Sequence, residues 1–294
     1  MNSNDNNSNL IEELNFQKLD AEGVKTLVQW AQEEGWNPGP HDAGVFYETD
    51  PDGFYGYFSE GELIGGGSVV SYNKEFGFMG FFIIKPEYRS HGIGKKLWYQ
   101  RRDTLLSRLN KGAAIGMDGV IAMQPFYNKG GFEIAFRDER FEKTGSEFEI
   151  DKNISSIKDN DFEIVLDYDK LCFGFSRPQF LKPWLKLPGN KTFKYTEDEK
   201  IKGFAIMRKA YIGYKVCPLF ADNPEIAEEL YKACLNSAKD EKVYLDIPVI
   251  NQCAVDLVKK YNAQYVFECA RMYYGKPPVM EIDKVFGITT FELG

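Results

Sequence analysis

A glycine-containing turn follows the longest apolar run of the sequence, and its residue types are suited to binding phosphate. The run is Phe76–Ile84, and the turn Arg89–Gly94 has the sequence Arg-Ser-His-Gly-Ile-Gly. Glycine tolerates backbone conformations that a side chain forbids, so successive N–H groups of such a turn can point into one concavity. A helix that begins there adds the partial positive charge of its N-terminus. The sequence therefore predicts a binding site for a diphosphate at this turn.

The segments on either side of the turn have the patterns of a strand and a helix. A nearly continuous apolar run such as Phe76–Ile84 is typical of a strand that is buried on both faces, and Lys85-Pro86 ends it. After the turn, one side of a predicted helix carries Ile93, Leu97, Trp98, Leu105 and Leu109. A further strand near 113–117 and a short helix up to Phe132 are predicted next. The turn thus lies between the end of a buried strand and the start of a helix.

Two motifs in this region give the chain a resemblance to a known family. Arg89–Gly94 fits the pattern Gln/Arg-x-x-Gly-x-Gly/Ala, and Phe126–Phe132, Phe-Tyr-Asn-Lys-Gly-Gly-Phe, fits a later Phe-Tyr-x-x-x-Gly-Phe motif. In this order and separation the chain resembles the GCN5-related N-acetyltransferase (GNAT) superfamily over roughly residues 14–141. The resemblance implies an acyltransferase that moves the acetyl group of acetyl-coenzyme A (acetyl-CoA) to an amine.

A second set of elements follows in the other half of the chain, and 294 residues favour two domains over one. The patterns predict strand 204–216, helix 224–238, strand 242–247, helix 252–261 and strand 264–274, and Tyr261 lies 134 residues after Tyr127. With the resemblance, this implies an α+β fold of two tandem GNAT-like domains, each a mixed, mainly antiparallel central sheet flanked by helices. We predict a disordered tail over residues 1–10, an acetyl-CoA-binding domain over 11–145 and a degenerate GNAT-like domain over 160–294.

The predicted second domain lacks the phosphate-binding turn. At the corresponding place the chain has Ala221–Ile226, Ala-Asp-Asn-Pro-Glu-Ile, with no glycine. The proline has no N–H to donate, and the two carboxylates would repel a diphosphate. We therefore expect this domain to bind no CoA. Its role would be to close the acceptor pocket or to hold a domain interface or a homodimer interface.

The resemblance also implies where the cosubstrate binds. Pantetheine would pair like an extra strand with the backbone of Phe82, Ile83 and Ile84, provided that their strand diverges from its neighbour at a bulge. The pyrophosphate would lie over the turn and the first residues of the helix: Arg89, Ser90, His91, Gly92, Ile93, Gly94 and Lys95. The remaining phosphate charge would be balanced by Lys95, Lys96 or Lys129.

Acyl transfer from a thioester releases a thiolate, which needs a proton. A tyrosine with a pKa near 10 can protonate a thiolate whose acid has a pKa near 8.5, and the resemblance places Tyr127 in this role. The amine must lose a proton before it attacks, and Asp118 is the first candidate for the base. The alternatives are the other nearby acids Asp42, Asp50, Asp52 and Glu75. The catalytic residues that we predict are thus Tyr127 and Asp118.

Composition excludes several other classes of protein. The net charge of −8 disfavours a protein that binds nucleic acid. Only His41 and His91 are present, without the spacing of a metal site, so no metal is expected. The sequence has neither a signal peptide nor an apolar stretch of about 20 residues that could span a membrane. The five cysteines form no paired motif, which favours a reduced, cytoplasmic protein.

These observations predict an N-acetyltransferase that acts on the primary amine of a small molecule. One alternative is a protein lysine or N-terminal acetyltransferase, which would need an open groove for a peptide. The other is a CoA-binding sensor or scaffold without activity, which the lack of a clear base would favour.

Overall fold

The computed structural model describes residues 14–294; residues 1–13, which include the predicted tail, lie outside the described residues. The strands of the first half are β1 (Asn15–Lys18), β2 (Phe54–Ser59), β3 (Glu62–Tyr72), β4 (Phe76–Ile84), β5 (Ala114–Val120) and β6 (Phe132–Thr144). Its α-helices are α1 (Ala21–Glu33), α2 (Asp42–Thr49), α3 (Ile93–Arg108) and α4 (Gln124–Lys129).

The second half has a similar series of elements. Its strands are β7 (Ile154–Ser155), β8 (Lys191–Glu197), β9 (Lys200–Lys209), β10 (Tyr214–Ala221), β11 (Lys242–Pro248), β12 (Gln264–Tyr274) and β13 (Val285–Gly287). Its α-helices are α5 (Phe162–Phe173), α6 (Pro178–Leu185), α7 (Pro224–Ser237) and α8 (Gln252–Lys260).

All of these strands belong to one sheet, in the order β1-β2-β3-β4-β5-β12-β6-β11-β10-β9-β8-β7, with β13 paired to β10. The pairs β4–β5 and β10–β11 are parallel, and the other neighbours are antiparallel. The predicted fold class, a mixed and mainly antiparallel sheet flanked by helices in each half, is confirmed.

The two halves exchange a strand where they meet. β12, from the second half, lies between β5 and β6 and pairs with both, from Tyr274 opposite Ile115 to Gln264 opposite Glu142. β6, from the first half, pairs in turn with β11 of the second half. Because of this exchange, each half completes the sheet of the other. The domain boundaries at 145 and 160 remain predictions.

Local sequence explains the elements that position the site. Asp20 accepts a hydrogen bond from the Gly23 amide at 2.9 Å, which satisfies a free donor at the start of α1. In α3 the predicted apolar face is buried at Ile93, Leu97, Trp98 and Leu105.

Candidate active site

β4 and β5 run side by side and then separate. Their pairing extends from Phe76 opposite Ala114 to Met79 opposite Met117, although β4 continues to Ile84 and β5 to Val120. On its other edge β4 shifts register against β3 between Gly66 and Ser68. Phe81 in the bulge has a φ of 50°, a left-handed conformation that is uncommon for a bulky residue. The bulge therefore opens a gap between the two strand ends.

A cavity of about 590 Å³ fills this gap. β4, the turn after it and the start of α3 contribute one side of the wall: Phe82, Ile83, Ile84, Arg89, Ser90, Gly92, Gly94 and Lys95. The other side consists of Glu34, Trp36, Asp118, Val120, Met123, Phe126 and Tyr127. The cavity thus brings together most of the residues that the sequence analysis selected.

The turn before α3 has the left-handed conformations that its sequence predicts. Ser90 has a φ of 67° and Gly92, the residue before the helix, a φ of 79°. Arg89 does not extend freely into the cavity: its Nε donates to the Ile84 carbonyl at 2.8 Å, and its guanidinium pairs with Glu34. Arg89 therefore fastens the turn to β4 and α1 while it lines the cavity.

Two of the selected turn residues lie outside the cavity lining. Ile93 is fully buried and packs in a cluster with Ile84 and Leu97. The His91 Nδ1 atom is buried and makes no hydrogen bond to the described residues. Ile93 therefore packs beneath the turn, and His91 lies beside the cavity without lining it.

Tyr127 lies on α4 at the cavity wall. Its side chain is 4% exposed, its ring stacks on Trp98 at 5.8 Å between centroids, and it meets Phe82 edge-on at 6.5 Å. Burial raises the pKa of Tyr127, and the nearby Arg101 guanidinium opposes that rise. The phenol consequently keeps its proton at neutral pH.

Arg101, which the sequence analysis missed, supports the bulge from α3. Its Nη2 donates to the carbonyls of Ser68 at 2.6 Å and Gly80 at 2.5 Å, while Nε and Nη1 have no partner among the described residues. Burial lowers the pKa of Arg101 to about 9. The sequence does contain a signal for this role: Arg101 lies four residues, about one helical turn, from both Leu97 and Leu105, which places it on the buried face of α3.

Asp118 lies within β5, although the sequence analysis placed it just after that strand. Both of its oxygens accept hydrogen bonds from Arg271 of β12, at 2.7 and 3.0 Å. Burial raises the pKa of Asp118 to about 6, against the opposing effect of Arg271. The carboxylate is therefore in the cavity wall, but it is held by the exchanged strand.

The four alternative candidates for the base lie outside the cavity lining. Asp42 pairs with Arg208 at 3.0 Å and Asp50 with Arg108 at 2.7 Å. Asp52 pairs at the surface with Lys18. Glu75 precedes the first residue of β4, at the opposite end of the strand from Ile84. None of these four acids lines the cavity in the gap.

A smaller cavity of about 60 Å³ adjoins the first one and shares Trp36, Asp118 and Val120 with it. The rest of its lining is Gly80, Phe81, Arg140, Phe267, Cys269, Phe291 and Glu292. We call it the inner pocket. Phe267, Cys269, Phe291 and Glu292 come from the second half, so the exchange completes this pocket.

The C-terminal segment reaches the bulge of β4 directly. The Ser68 hydroxyl donates to the Glu292 carbonyl at 3.1 Å, and the Tyr72 hydroxyl donates to the Leu293 carbonyl at 2.9 Å. A Cβ atom on Gly80 would lie 2.1 Å from the Glu292 carbonyl oxygen, so only glycine fits there. The sequence carries no signal for this contact, because the contact joins residues more than 200 positions apart.

The corresponding gap of the second half is filled. β10 and β11 pair in parallel from Tyr214 opposite Val243 to Val216 opposite Leu245 and then separate. β13 lies against the end of β10, with Leu219 opposite Gly287 and Phe220 opposite Val285. The chain itself therefore occupies the place that is open between β4 and β5.

The start of α7 is also closed. The Asn223 side chain accepts from the Ile226 amide at 2.9 Å, and Pro224 has no N–H to offer. The Asp222 carboxylate forms ion pairs with two lysines: one oxygen lies 3.3 Å from the Nζ of Lys284, and the other lies 3.6 Å from the Nζ of Lys202. At this helix N-terminus the Ile226 amide is therefore already engaged, and acids lie where α3 has a glycine-containing turn.

The described residues contain neither a metal-binding cluster nor a membrane-spanning helix. Between residues 14 and 294, no three His, Cys, Asp or Glu side chains are grouped in a way that could hold a metal ion. Among the helices in the same range, none combines the length and apolar character that crossing a bilayer requires.

Comparison with known families and proteins gives matches in both halves. A model described as the Acetyltransferase (GNAT) family matches residues 21–132, and one described as the Acetyltransferase (GNAT) domain matches residues 165–287. Holothin acyltransferase of Pseudoalteromonas sp. (strain SANK 73390) is 27% identical over 268 residues, which cover 90% of each chain. The uncharacterized N-acetyltransferase YitH of Bacillus subtilis (strain 168) is 19% identical, over 94% of this chain and 97% of the relative.

Solved structures share the fold. A putative acetyltransferase from Pyrococcus horikoshii has a TM-score of 0.81 at 22% identity and covers 96% of both chains. A tandem GNAT protein from the clavulanic acid biosynthesis pathway has a TM-score of 0.63 at 12% identity, over 90% of this chain and 99% of that one.

Proposed function

Because the chain belongs to the GNAT family of acyltransferases and carries two GNAT-type domains in tandem, we propose that it is an N-acetyltransferase for a small molecule. It moves the acetyl group of acetyl-CoA to a primary amine. The observation that carries this proposal is the gap between β4 and β5, which holds a cavity of about 590 Å³ beside the start of α3.

The free edge of β4 supports binding of pantetheine. Beyond Met79 this edge pairs with no strand of residues 14–294, so the backbone of Phe82, Ile83 and Ile84 can pair with the amides of an extended chain. The N–H groups at Ser90 and Gly92, with the start of α3, then receive the pyrophosphate. Lys95 is exposed at the mouth of the cavity and adds positive charge.

The position of Tyr127 supports a role as the acid. Its ring lies in the wall of the cavity into which β4 directs the thioester, and burial keeps its phenol protonated. Donation of that proton to the departing thiolate makes CoA a better leaving group. Asp118 serves the site as a positioning residue, because its bond to Arg271 fixes β12 against β5.

The inner pocket supports a small acceptor. Its volume of about 60 Å³ has room for only a few non-hydrogen atoms, and Phe267 and Phe291 of the second half close it. A folded protein presenting a lysine would need an open groove at this place. The relative named Holothin acyltransferase, which covers 90% of this chain, supports acyl transfer.

The test is thiol release from acetyl-CoA in the presence of chosen acceptors: benzylamine, tyramine, histamine, spermidine and a lysine-containing peptide. We expect release that depends on a small amine, with the acetylated amine found by mass spectrometry. Preference for the peptide would instead support a protein acetyltransferase. Binding of CoA without turnover on any acceptor would support a sensor.

A further inference from the structure

Glu292 is a buried acid at the inner pocket to which no role has yet been given. The residue is 4% exposed and belongs to the C-terminal segment that contacts the bulge of β4. Its side chain makes no hydrogen bond or ion pair to any residue in the described range 14–294. Arg140, Arg208 and Lys215 are near enough for their charges to interact with Glu292, but none of them donates a hydrogen bond to it. The carboxylate oxygens can therefore accept hydrogen bonds from a ligand that carries a positive charge.

The neighbouring acids differ from Glu292, because their oxygens are already engaged. Asp118 accepts two hydrogen bonds from Arg271. Asp246 likewise accepts two from Arg140, at 2.5 and 2.7 Å. Glu292 is therefore the acid of the inner pocket that is available to a ligand.

Asp138 is also buried without a partner, but it does not compete for this role. Its side chain is 0% exposed and lines neither cavity in the gap region. Burial, together with the nearby Asp118, raises the pKa of Asp138 well above its usual range, which favours the uncharged form of this acid. Glu292 differs because the pocket reaches it.

The walls around Glu292 are aromatic: Trp36, Phe81, Phe267 and Phe291 line the same pocket. Aromatic faces attract a cation, and the pocket already uses this effect. The Arg140 guanidinium lies 4.7 Å from the centre of the Phe267 ring and 5.4 Å from that of Phe291. A primary ammonium group is small enough to enter beside it.

We propose that Glu292 binds the ammonium group of the acceptor in this aromatic pocket and takes its proton. The acceptor is then a compact primary amine that is protonated when it arrives. This inference rests on the proposed function and names the group that prepares the amine for attack. It also gives the second half a direct part in a reaction whose thioester lies on the first half.

The protons balance in four steps. The ammonium passes one proton to Glu292, and the neutral nitrogen forms a bond to the acetyl carbon. The carbon–sulfur bond breaks, and the sulfur takes the proton of Tyr127. The nitrogen loses its second proton, which returns to Tyr127, and Glu292 releases its proton to solvent. The products are the acetylated amine, CoA as the thiol and one free proton.

Charged groups on several elements face Glu292. The groups whose charges interact with it are Asp42 of α2, Asp118 of β5, Arg140 of β6, Arg208 of β9 and Lys215 of β10. The cations Arg140 and Arg208 are each paired with an acid of their own. Lys215 instead donates to the Trp36 carbonyl at 3.0 Å.

The test is Glu292→Gln, which keeps the shape and removes the base. With the amine that the wild type acetylates fastest, we expect kcat/KM for the amine to fall by about 100-fold or more. The acidic limb of its pH profile should disappear, and calorimetry should show unchanged binding of CoA. The matched control is Glu281→Gln, an exposed acid of the same region paired with Lys284, which should change the rate by less than about twofold.

A second variant covers the case in which Glu292→Gln does not fold. Glu292→Asp keeps the charge and withdraws the carboxylate by one methylene, so kcat should fall by about 10-fold while the acidic limb remains. Wild-type kcat/KM with an unchanged acidic limb in Glu292→Gln, or wild-type kcat in Glu292→Asp, would overturn the inference and leave the proposed function standing. A wild type that acetylates none of the amines would overturn the proposed function, and the inference with it.

Discussion

The two halves of the chain are built alike up to one point, the gap between their parallel strands. In the first half β4 and β5 separate after Met79, and the gap holds the large cavity. In the second half β10 and β11 separate after Val216, and β13 fills the gap. The separation of the parallel strands therefore belongs to the fold, whereas a cofactor site also requires that no other segment of the chain occupies the gap.

The halves also differ in what they bury near this point. β4 has no charged residue, whereas β10 carries Lys215, which is 4% exposed. The second half has thus lost its own cleft and supplies parts to the other. Those parts are the exchanged strand β12, with Arg271, and the segment that carries Glu292.

The largest expected effect comes from removing the second half. Deletion of residues 150–294 takes β12 from between β5 and β6, exposes both strand edges and leaves Asp118 without Arg271. We expect a fragment that is insoluble and does not bind CoA, as measured by the soluble fraction and by calorimetry. Co-expression of 150–294 should restore both. A soluble fragment that binds CoA like the whole chain would show that the halves are independent.

The second-largest effect is expected at Tyr127, and the corresponding tyrosine of the second half should show no such effect. Tyr127→Phe removes the proton donor, so kcat should fall by about 100- to 10,000-fold while calorimetric binding of CoA is retained. The measurement is thiol release with the best amine.

Tyr261→Phe is the matched control for this variant, since Tyr261 lies 134 residues later and its hydroxyl donates to Glu228 at 2.8 Å. It should leave kcat within about twofold of the wild type. Equal losses in the two variants would mean that Tyr127 has only a structural role.

The smallest effect concerns the buried charge that distinguishes β10 from β4. Burial, with Arg140 and Arg208 nearby, lowers the pKa of Lys215 to about 7, from 10.5 in an unfolded chain. Between these pH values the unfolded state holds more protons, so unfolding free energy should rise with pH. Relative to Lys215→Met, the wild type should gain up to about 1.4 kcal/mol per pH unit in this window, measured by urea denaturation. If the difference in unfolding free energy between the wild type and Lys215→Met does not change with pH, Lys215 stays charged in the folded protein.

The strand, turn and helix at the site could be predicted from local sequence, because characteristic residues mark where each element begins and ends. β4 has the bounds expected from the apolar run, since Lys85 and Pro86 end it. β12 also has its predicted bounds, and α7 and α8 each end one residue earlier than predicted. One long strand was predicted over 204–216, but the chain forms β9 and β10 there, joined by a turn with Gly213 at a φ of 65°.

Contacts between distant parts of the chain could not be predicted in this way. The exchange of β12, the filling of the second gap by β13 and the arrival of Glu292 at β4 all depend on which segments meet in space. Pattern and spacing within one half carry no information about such partners. Asp118 shows the consequence: its residue type fits a base, and only the position of Arg271 reveals that its oxygens are engaged.

The central claim is that the gap of the first half is the place where acetyl-CoA binds. The most direct test is calorimetric titration with CoA of the wild type and of two variants that place a carboxylate before an equivalent helix, Ser90→Glu and Asn223→Glu. The account predicts a single site per chain, affinity about 10- to 100-fold weaker in Ser90→Glu because of charge repulsion, and unchanged affinity in Asn223→Glu. Unchanged binding in Ser90→Glu, or weakened binding in Asn223→Glu, would contradict it.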